Sequence, residues 1–150
     1  MTLEILEELA LFSDLAPADL DLLPPLCKLV EGKAGDCLIR EGELVQNLYI
    51  LVSGDVVVKT ARANGTQVLL ASLGKDDLIG EISFSQVTAA SATVEAKTTF
   101  TAVALNQKER HRLLDKQPPL GIKVYKRLAR VMSGRMKTMI AQLAKDAQAP

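Results

Sequence analysis

The pair with the clearest chemical potential is Gly80-Glu81, which closes the apolar run Leu78-Ile79 and opens a polar stretch running to Ser91. A carboxylate at Glu81 can accept hydrogen bonds from the hydroxyl groups of a sugar, and Gly80 lets the backbone turn and approach a ligand closely. The backbone N–H groups of Ile82 and Ser83 fall where a short helix is expected to begin, and unpaired donors there favour an anion. With a strand pattern resuming at Ala92 to Ala96, the segment 78–94 reads as a loop held open between two strands, where a small ligand would sit. Taken alone the signal is weak, because a Gly-Glu pair after an apolar run most often marks an ordinary turn.

Other reactive side chains do not assemble. His111 is the only histidine, so a jelly-roll metal site needing several is not expected, and no metal or cofactor is assigned. Cys27 and Cys37 form neither a disulfide framework nor a C-x-x-C site and are expected to be reduced and buried. Glu41-Gly42-Glu43 places two carboxylates together, but nothing near them supplies a nucleophile. No catalytic constellation is present, and an enzyme is not expected.

The elements that must position the loop follow from the pattern of apolar and turn residues. Leu3, Leu6 and Leu9 recur at helical spacing, and Pro17 to Leu23 reads as a helix that starts at a proline and stops at Pro24-Pro25. Short strand-like runs follow at Cys27 to Val30, Cys37 to Arg40, Leu48 to Leu51, Val56 to Thr60, Gln67 to Ser72, Thr93 to Ala96 and Thr99 to Leu105. Glycines at the joints point to a sandwich or barrel. Ala63-Asn64-Gly65-Thr66 reads as a hairpin turn in which both central residues tolerate positive φ, and Ser53-Gly54-Asp55 as a second tight connection.

After Leu105 the helical period returns, with a short helix over Gln107 to Asp115 and a long one from Pro118-Pro119 to about Ala144. Tyr125, Ala129, Met132, Met136, Met139 and Leu143 alternate spacings of four and three along it, the seam of a two-helix coil. Ile122, Val124, Leu128 and Val131 are expected to pack on their own domain. Beyond Ser133 too little chain remains to cover the stripe, so a second copy is the expected partner. Ser133-Gly134 is read as a local weakening and a candidate bend. Lys123, Arg127, Arg130 and Lys137 form a basic stripe, read as a solvated face beside the seam, with anionic partners the lesser alternative.

At 150 residues, with 48% hydrophobic residues, the chain is long enough for one domain with a proper core. Eighteen Lys and Arg balance eighteen Asp and Glu, which argues against a surface dominated by nucleic-acid binding. No apolar run approaches membrane-spanning length, and Met1-Thr2-Leu3-Glu4 has no basic region before an apolar one. Residence in the cytoplasm is therefore expected.

Four groups of residues in order carry a resemblance. They are Gly35-Asp36; Ile39-Arg40-Glu41-Gly42-Glu43; Leu48 through Val56 with Ser53-Gly54-Asp55; and Leu73-Gly74-Lys75-Asp76-Asp77-Leu78-Ile79-Gly80-Glu81. Together with Phe12-Ser13-Asp14-Leu15 they resemble the cyclic nucleotide-binding domain of catabolite activator proteins and cyclic-AMP-dependent kinase regulatory subunits, over about Phe12 to Met132. The resemblance implies a mainly β fold, an eight-stranded antiparallel jelly-roll barrel with flanking N-terminal helices and a long C-terminal helix. It divides the chain into a jelly roll with its N-terminal helices, 1–117, and a lid and dimerisation helix of the same domain, 118–150. It implies a turn at Gly42, a phosphate-binding loop at Gly80, and a long helix that is both dimer interface and lid.

Residue by residue, the resemblance places Gly80 and Glu81 at the ribose, Ile82 and Ser83 as backbone donors to the phosphate, and the Ser91 hydroxyl beside it. The family's phosphate arginine should stand immediately before Ser91, where this chain has Ala90. No Arg or Lys lies between Gly80 and Lys97, and Ala92-Thr93-Val94 fixes the register. Deleting one side of a charge-assisted, partly buried contact costs roughly 3–5 kcal/mol. At about 1.4 kcal/mol per tenfold, a micromolar site falls to roughly millimolar affinity. Two routes around the loss are a basic residue from elsewhere, Lys97 or Arg135 of the lid helix, and a less charged ligand in the same pocket.

The sequence therefore predicts a non-catalytic regulatory module with weak or lost cyclic-nucleotide binding, homodimeric through its C-terminal helix, with a separate effector protein as a candidate partner that the sequence does not specify. The alternatives are a ligand-independent dimeric scaffold and a sensor of a different small ligand. Only Asp146-Ala147-Gln148-Ala149-Pro150 follows the lid helix, which leaves no room for a helix-turn-helix, so direct DNA binding by this chain is not expected.

Overall fold

Two runs, Leu48 to Val52 and Phe100 to Leu105, are apolar at nearly every position, the signature of strands covered on both faces. A computed structural model describes residues 2–84 and 86–148, with the backbone alone at 83 and 84, and bears this out. Expectations for Met1, Ala149 and Pro150 lie outside the described residues. The strands are β1 (Cys27–Gly32), β2 (Cys37–Ile39), β3 (Leu44–Val45), β4 (Asn47–Ser53), β5 (Val56–Ala61), β6 (Gln67–Leu73), β7 (Leu78–Ile79), β8 (Thr88–Ala89), β9 (Thr93–Ala96) and β10 (Phe100–Asn106).

Eight of them form two four-stranded antiparallel sheets, ordered β1-β10-β4-β7 and β2-β9-β5-β6, while β3 and β8 pair as a separate ribbon. This is the expected jelly roll, with one difference: the two sheets stay separate hydrogen-bonded units, so the barrel is not closed. Alternation along β4 and β10 splits the core in two. Leu48, Ile50, Val103 and Leu105 face the helices; Leu51, Phe100 and Ala102 face Val56, Val94 and Ala96 of the other sheet. Fully burying each such side chain contributes roughly 1.5–3 kcal/mol.

The helices are α1 (Leu3–Glu7), α2 (Pro17–Leu20), α3 (Gln107–Lys116) and α4 (Pro118–Gln148). Leu6, Leu9, Phe12, Leu20, Leu114, Leu120 and Val124 close over the outer face of the first sheet. Several details differ from expectation. The proline-led helix ends at Leu20, and Pro24-Pro25 opens a 3-10 turn rather than only ending a helix. In the β5–β6 hairpin only Gly65 has positive φ, because the Gly65 N–H donates to Arg62 O at 2.9 Å and leaves Asn64 in an ordinary turn conformation. α4 runs unbroken through Ser133 and Gly134 to Gln148, four residues past the expected end.

Three residues of the basic stripe make contacts within the fold, while Lys137 is exposed as expected. Lys123 pairs with Asp19 at 3.0 Å, Arg127 donates to Ala10 O at 3.0 Å, and Arg127 and Arg130 lie 3.7 and 3.9 Å from Asp14. These contacts fasten the first half of α4 to the N-terminal helices. Among the described residues no helix is long and apolar enough to cross a membrane.

Candidate ligand pocket under the long helix

Pairing of β7 with β4 brings Gly80 against the backbone of the neighbouring strand. A Cβ there would stand 2.7 Å from Asn47 O and 3.0 Å from Val45 Cγ1, and Gly80 has φ +77°. Only glycine satisfies both the close approach and the left-handed backbone. The chain then enters a four-residue 3-10 turn, Glu81–Phe84, so Glu81 emerges at the rim of a cavity of about 550 Å³. Apolar side chains of the second sheet (Ile39, Val58, Val94), of the β3–β8 ribbon (Val45) and of β7 (Leu78, Ile79) form its walls, and Met132, Met136 and Met139 of α4 form its roof.

Arg135 enters the cavity from α4 between these methionines. One guanidinium nitrogen lies 3.3 Å from Glu81 Oε1; the other donates to Leu78 O and lies 3.8 Å from Asp77 Oδ1. Its Nε is buried without a hydrogen-bond partner among the described residues. The spacing 132, 135, 136, 139 on one helical face is the signal for this arrangement, hidden because the methionines alone suffice for a seam. Of the expected seam residues, Met132, Met136 and Met139 line the cavity, but Met136 and Met139 are also 61% and 63% exposed, and Tyr125, Ala129 and Leu143 are exposed as well.

Ala90 and Ser91 line the same cavity. Ala90 is fixed by two backbone bonds of 2.8 Å, its N–H donating to Glu43 O and its carbonyl accepting from the Gly42 N–H. Gly42 has φ +88°, the special conformation expected at that turn. Ser91 is exposed, and its carbonyl accepts from the Thr60 hydroxyl at 3.4 Å. Gly80 and Ile82 both have partners within the fold. The side chain of Ser83 is outside the described residues. Lys97 is exposed at another joint, where its N–H and that of Thr98 hold Asp55 O, and it does not line the cavity.

The remaining candidates serve structure. Glu41 accepts from the Thr60 hydroxyl at 2.6 Å and the Ala61 N–H at 3.1 Å, and these bonds hold its carboxyl below the usual range. Its role is to tie the Gly42 turn to β5. Burial pushes the Cys27 thiol up to about 12, which makes it inert at neutral pH. Arg110, which no sequence pattern singles out, is 1% exposed and donates to Leu105 O at 3.2 Å; burial lowers its pKa to about 10, with Tyr125 opposing. It fastens α3 to β10.

A family model described as the cyclic nucleotide-binding domain matches residues 29–117, which includes the whole Gly80 loop. The chain belongs to the cyclic nucleotide-binding domain family. Its relatives within that family are regulators. The cAMP-activated global transcriptional regulator CRP of Salmonella typhimurium is 29% identical over 105 residues, 69% of this chain and 50% of the relative. The regulatory subunit of a cAMP-independent protein kinase A from Trypanosoma brucei is 28% identical with a TM-score of 0.70, covering 90% of this chain and 49% of that one. A triple mutant of that subunit, with one substitution of threonine by arginine, has been solved bound to cAMP in its A site. A cyclic nucleotide-binding domain from Methylobacillus flagellatus shares the fold at TM-score 0.84 and 24% identity, over 99% of this chain and 83% of that one. The cyclic nucleotide-binding domain described here thus spans about half the length of the curated relatives it matches.

Proposed function

We propose that this chain is a non-catalytic regulatory module whose pocket has lost tight affinity for cyclic nucleotides. One observation carries the reading: the position expected to hold the phosphate arginine is Ala90, and the only cation among the described lining residues, Arg135, is engaged by Glu81. A cyclic nucleotide entering this pocket would find its phosphate site without a cation and its ribose carboxylate already paired. The Trypanosoma brucei relative supports the reading, since it is named cAMP-independent and its cAMP-bound form carries an introduced arginine.

In this proposal α4 is the lid, and occupancy of the cavity shifts it between two positions that present different surfaces to a separate effector. The exposed apolar residues Tyr125, Met136, Met139 and Leu143 support a homodimer through α4. Sedimentation of the wild type and of Leu143→Lys tests that part: a mass that does not fall with the substitution removes it.

The deciding experiment is isothermal titration with cyclic AMP and cyclic GMP up to millimolar concentration. Weak or absent heat is expected. A low-micromolar constant would favour a second reading, in which Arg135 leaves Glu81 for the phosphate and frees the carboxylate for the ribose. Loss of that binding in Arg135→Met would then establish the second reading over the first.

A further inference from the structure

The cavity's charge and shape specify more than a lost ligand. Its described lining contains two carboxylates, Asp77 and Glu81, against one guanidinium, Arg135, so one negative charge is uncompensated. The sequence holds no Lys or Arg between Gly80 and Lys97, so no residue of the loop corrects this. An anion would be desolvated among apolar walls and repelled by a net negative charge, two costs that add. A volume of about 550 Å³ remains, in the range of sites that hold small organic ligands, roughly 300–1,000 Å³. Arg135 lines the cavity with its side chain 22% exposed, and its guanidinium carries five N–H donors, more than the contacts to Glu81 and Leu78 use.

Building on the proposed loss of cyclic-nucleotide affinity, we infer that this cavity takes an uncharged, largely apolar small molecule carrying a carbonyl or hydroxyl oxygen that accepts from Arg135. The walls supply the affinity and Arg135 the orientation. Such a ligand leaves the Arg135–Glu81 pair in place and packs beneath the methionines of α4, whose unbranched side chains adapt to varied shapes.

The test uses the full chain and two fluorescent probes of similar size. Prodan (6-propionyl-2-dimethylaminonaphthalene) is an uncharged ketone; 8-anilinonaphthalene-1-sulfonate is an anion. Saturable, blue-shifted prodan binding is expected, tighter than that of the sulfonate by on the order of tenfold, the effect of about 1.4 kcal/mol. Ala71 on β6 and Thr138 on α4 both line the cavity and are exposed, so Ala71→Trp and Thr138→Trp fill its mouth without entering the core. Each is expected to weaken prodan by on the order of tenfold, and Ala90→Arg to shift the preference toward the sulfonate.

Equal or tighter binding of the sulfonate by the wild type overturns the inference. So does prodan binding that both filling variants leave unchanged, which would place the dye on the exposed face of α4. Weak cyclic AMP binding with no prodan binding overturns this inference alone, whereas low-micromolar cyclic AMP binding overturns the reading on which it rests.

Discussion

Arg135 Nη1 lies 3.3 Å from Glu81 Oε1, joining the long helix to the loop at the rim of the cavity. The two residues are far apart in sequence and about three-quarters buried, with side chains 22% and 25% exposed. Water still reaches the pair, so it contributes about 1 kcal/mol rather than the larger figure of a fully buried one. Arg135→Met should therefore cost about that much in global stability. It should also speed amide hydrogen exchange beyond Val131 while leaving residues 118–128 protected. Unchanged exchange in the second half of α4 would show that the methionine roof alone holds it down.

Ala90→Arg adds the missing cation at a position whose backbone is already fixed by Glu43 and Gly42. Cyclic AMP affinity should rise at least about tenfold by titration calorimetry. A folded variant with no gain would remove Ala90 as the cause of the proposed weak nucleotide binding.

Two glycines should respond in opposite directions. Gly80→Ala forces a Cβ within 2.7 Å of Asn47 O at positive φ and should cost about 2 kcal/mol or more by denaturant unfolding. A Cβ at Gly134 would meet nothing within 4 Å, and the residue lies in exposed helix, so Gly134→Ala should stabilise by about 0.5–1 kcal/mol. Loss of stability at Gly134 would reveal a need for flexibility in the middle of α4.

Glu41 gives a pH signature. Its folded-state pKa is depressed, first by the Thr60 hydroxyl and then by the Ala61 N–H. Its contribution to stability is therefore present above the unfolded carboxylate pKa and is lost as pH falls through the lower folded value. Thr60→Val removes the larger cause, so the Glu41 midpoint followed by NMR should rise toward the ordinary glutamate value. A midpoint that stays low would assign the effect to Ala61.

Much of this architecture is legible in the sequence because it is local. Glycines at 42, 54, 65 and 80 announce turns, and all four have positive φ. The long strands lie within one or two residues of their expected ends. The strands Leu44–Val45, Leu78–Ile79 and Thr88–Ala89 escape a reading of the pattern because two residues carry no periodicity. The acceptors of the basic stripe are equally hidden: Asp14 and Asp19 meet Arg127 and Lys123 only after the chain has closed on itself. At the site, Gly80, Glu81 and Ala90 stand out from their motif, but Arg135 does so only as a substitute cation. Nothing in the sequence announces that it meets Glu81.

The first half of α4 is held to the N-terminal helices as far as Arg130, while its exposed end runs on past the cavity. That makes it a cantilever. From Arg130 to Leu143 the helix extends about 20 Å, so a tilt of about 10° at the fastened end displaces Leu143 by about 3 Å. A molecule that shifts the methionine roof by a fraction of its own width would thus be reported at the tip as a movement comparable to the length of a side chain.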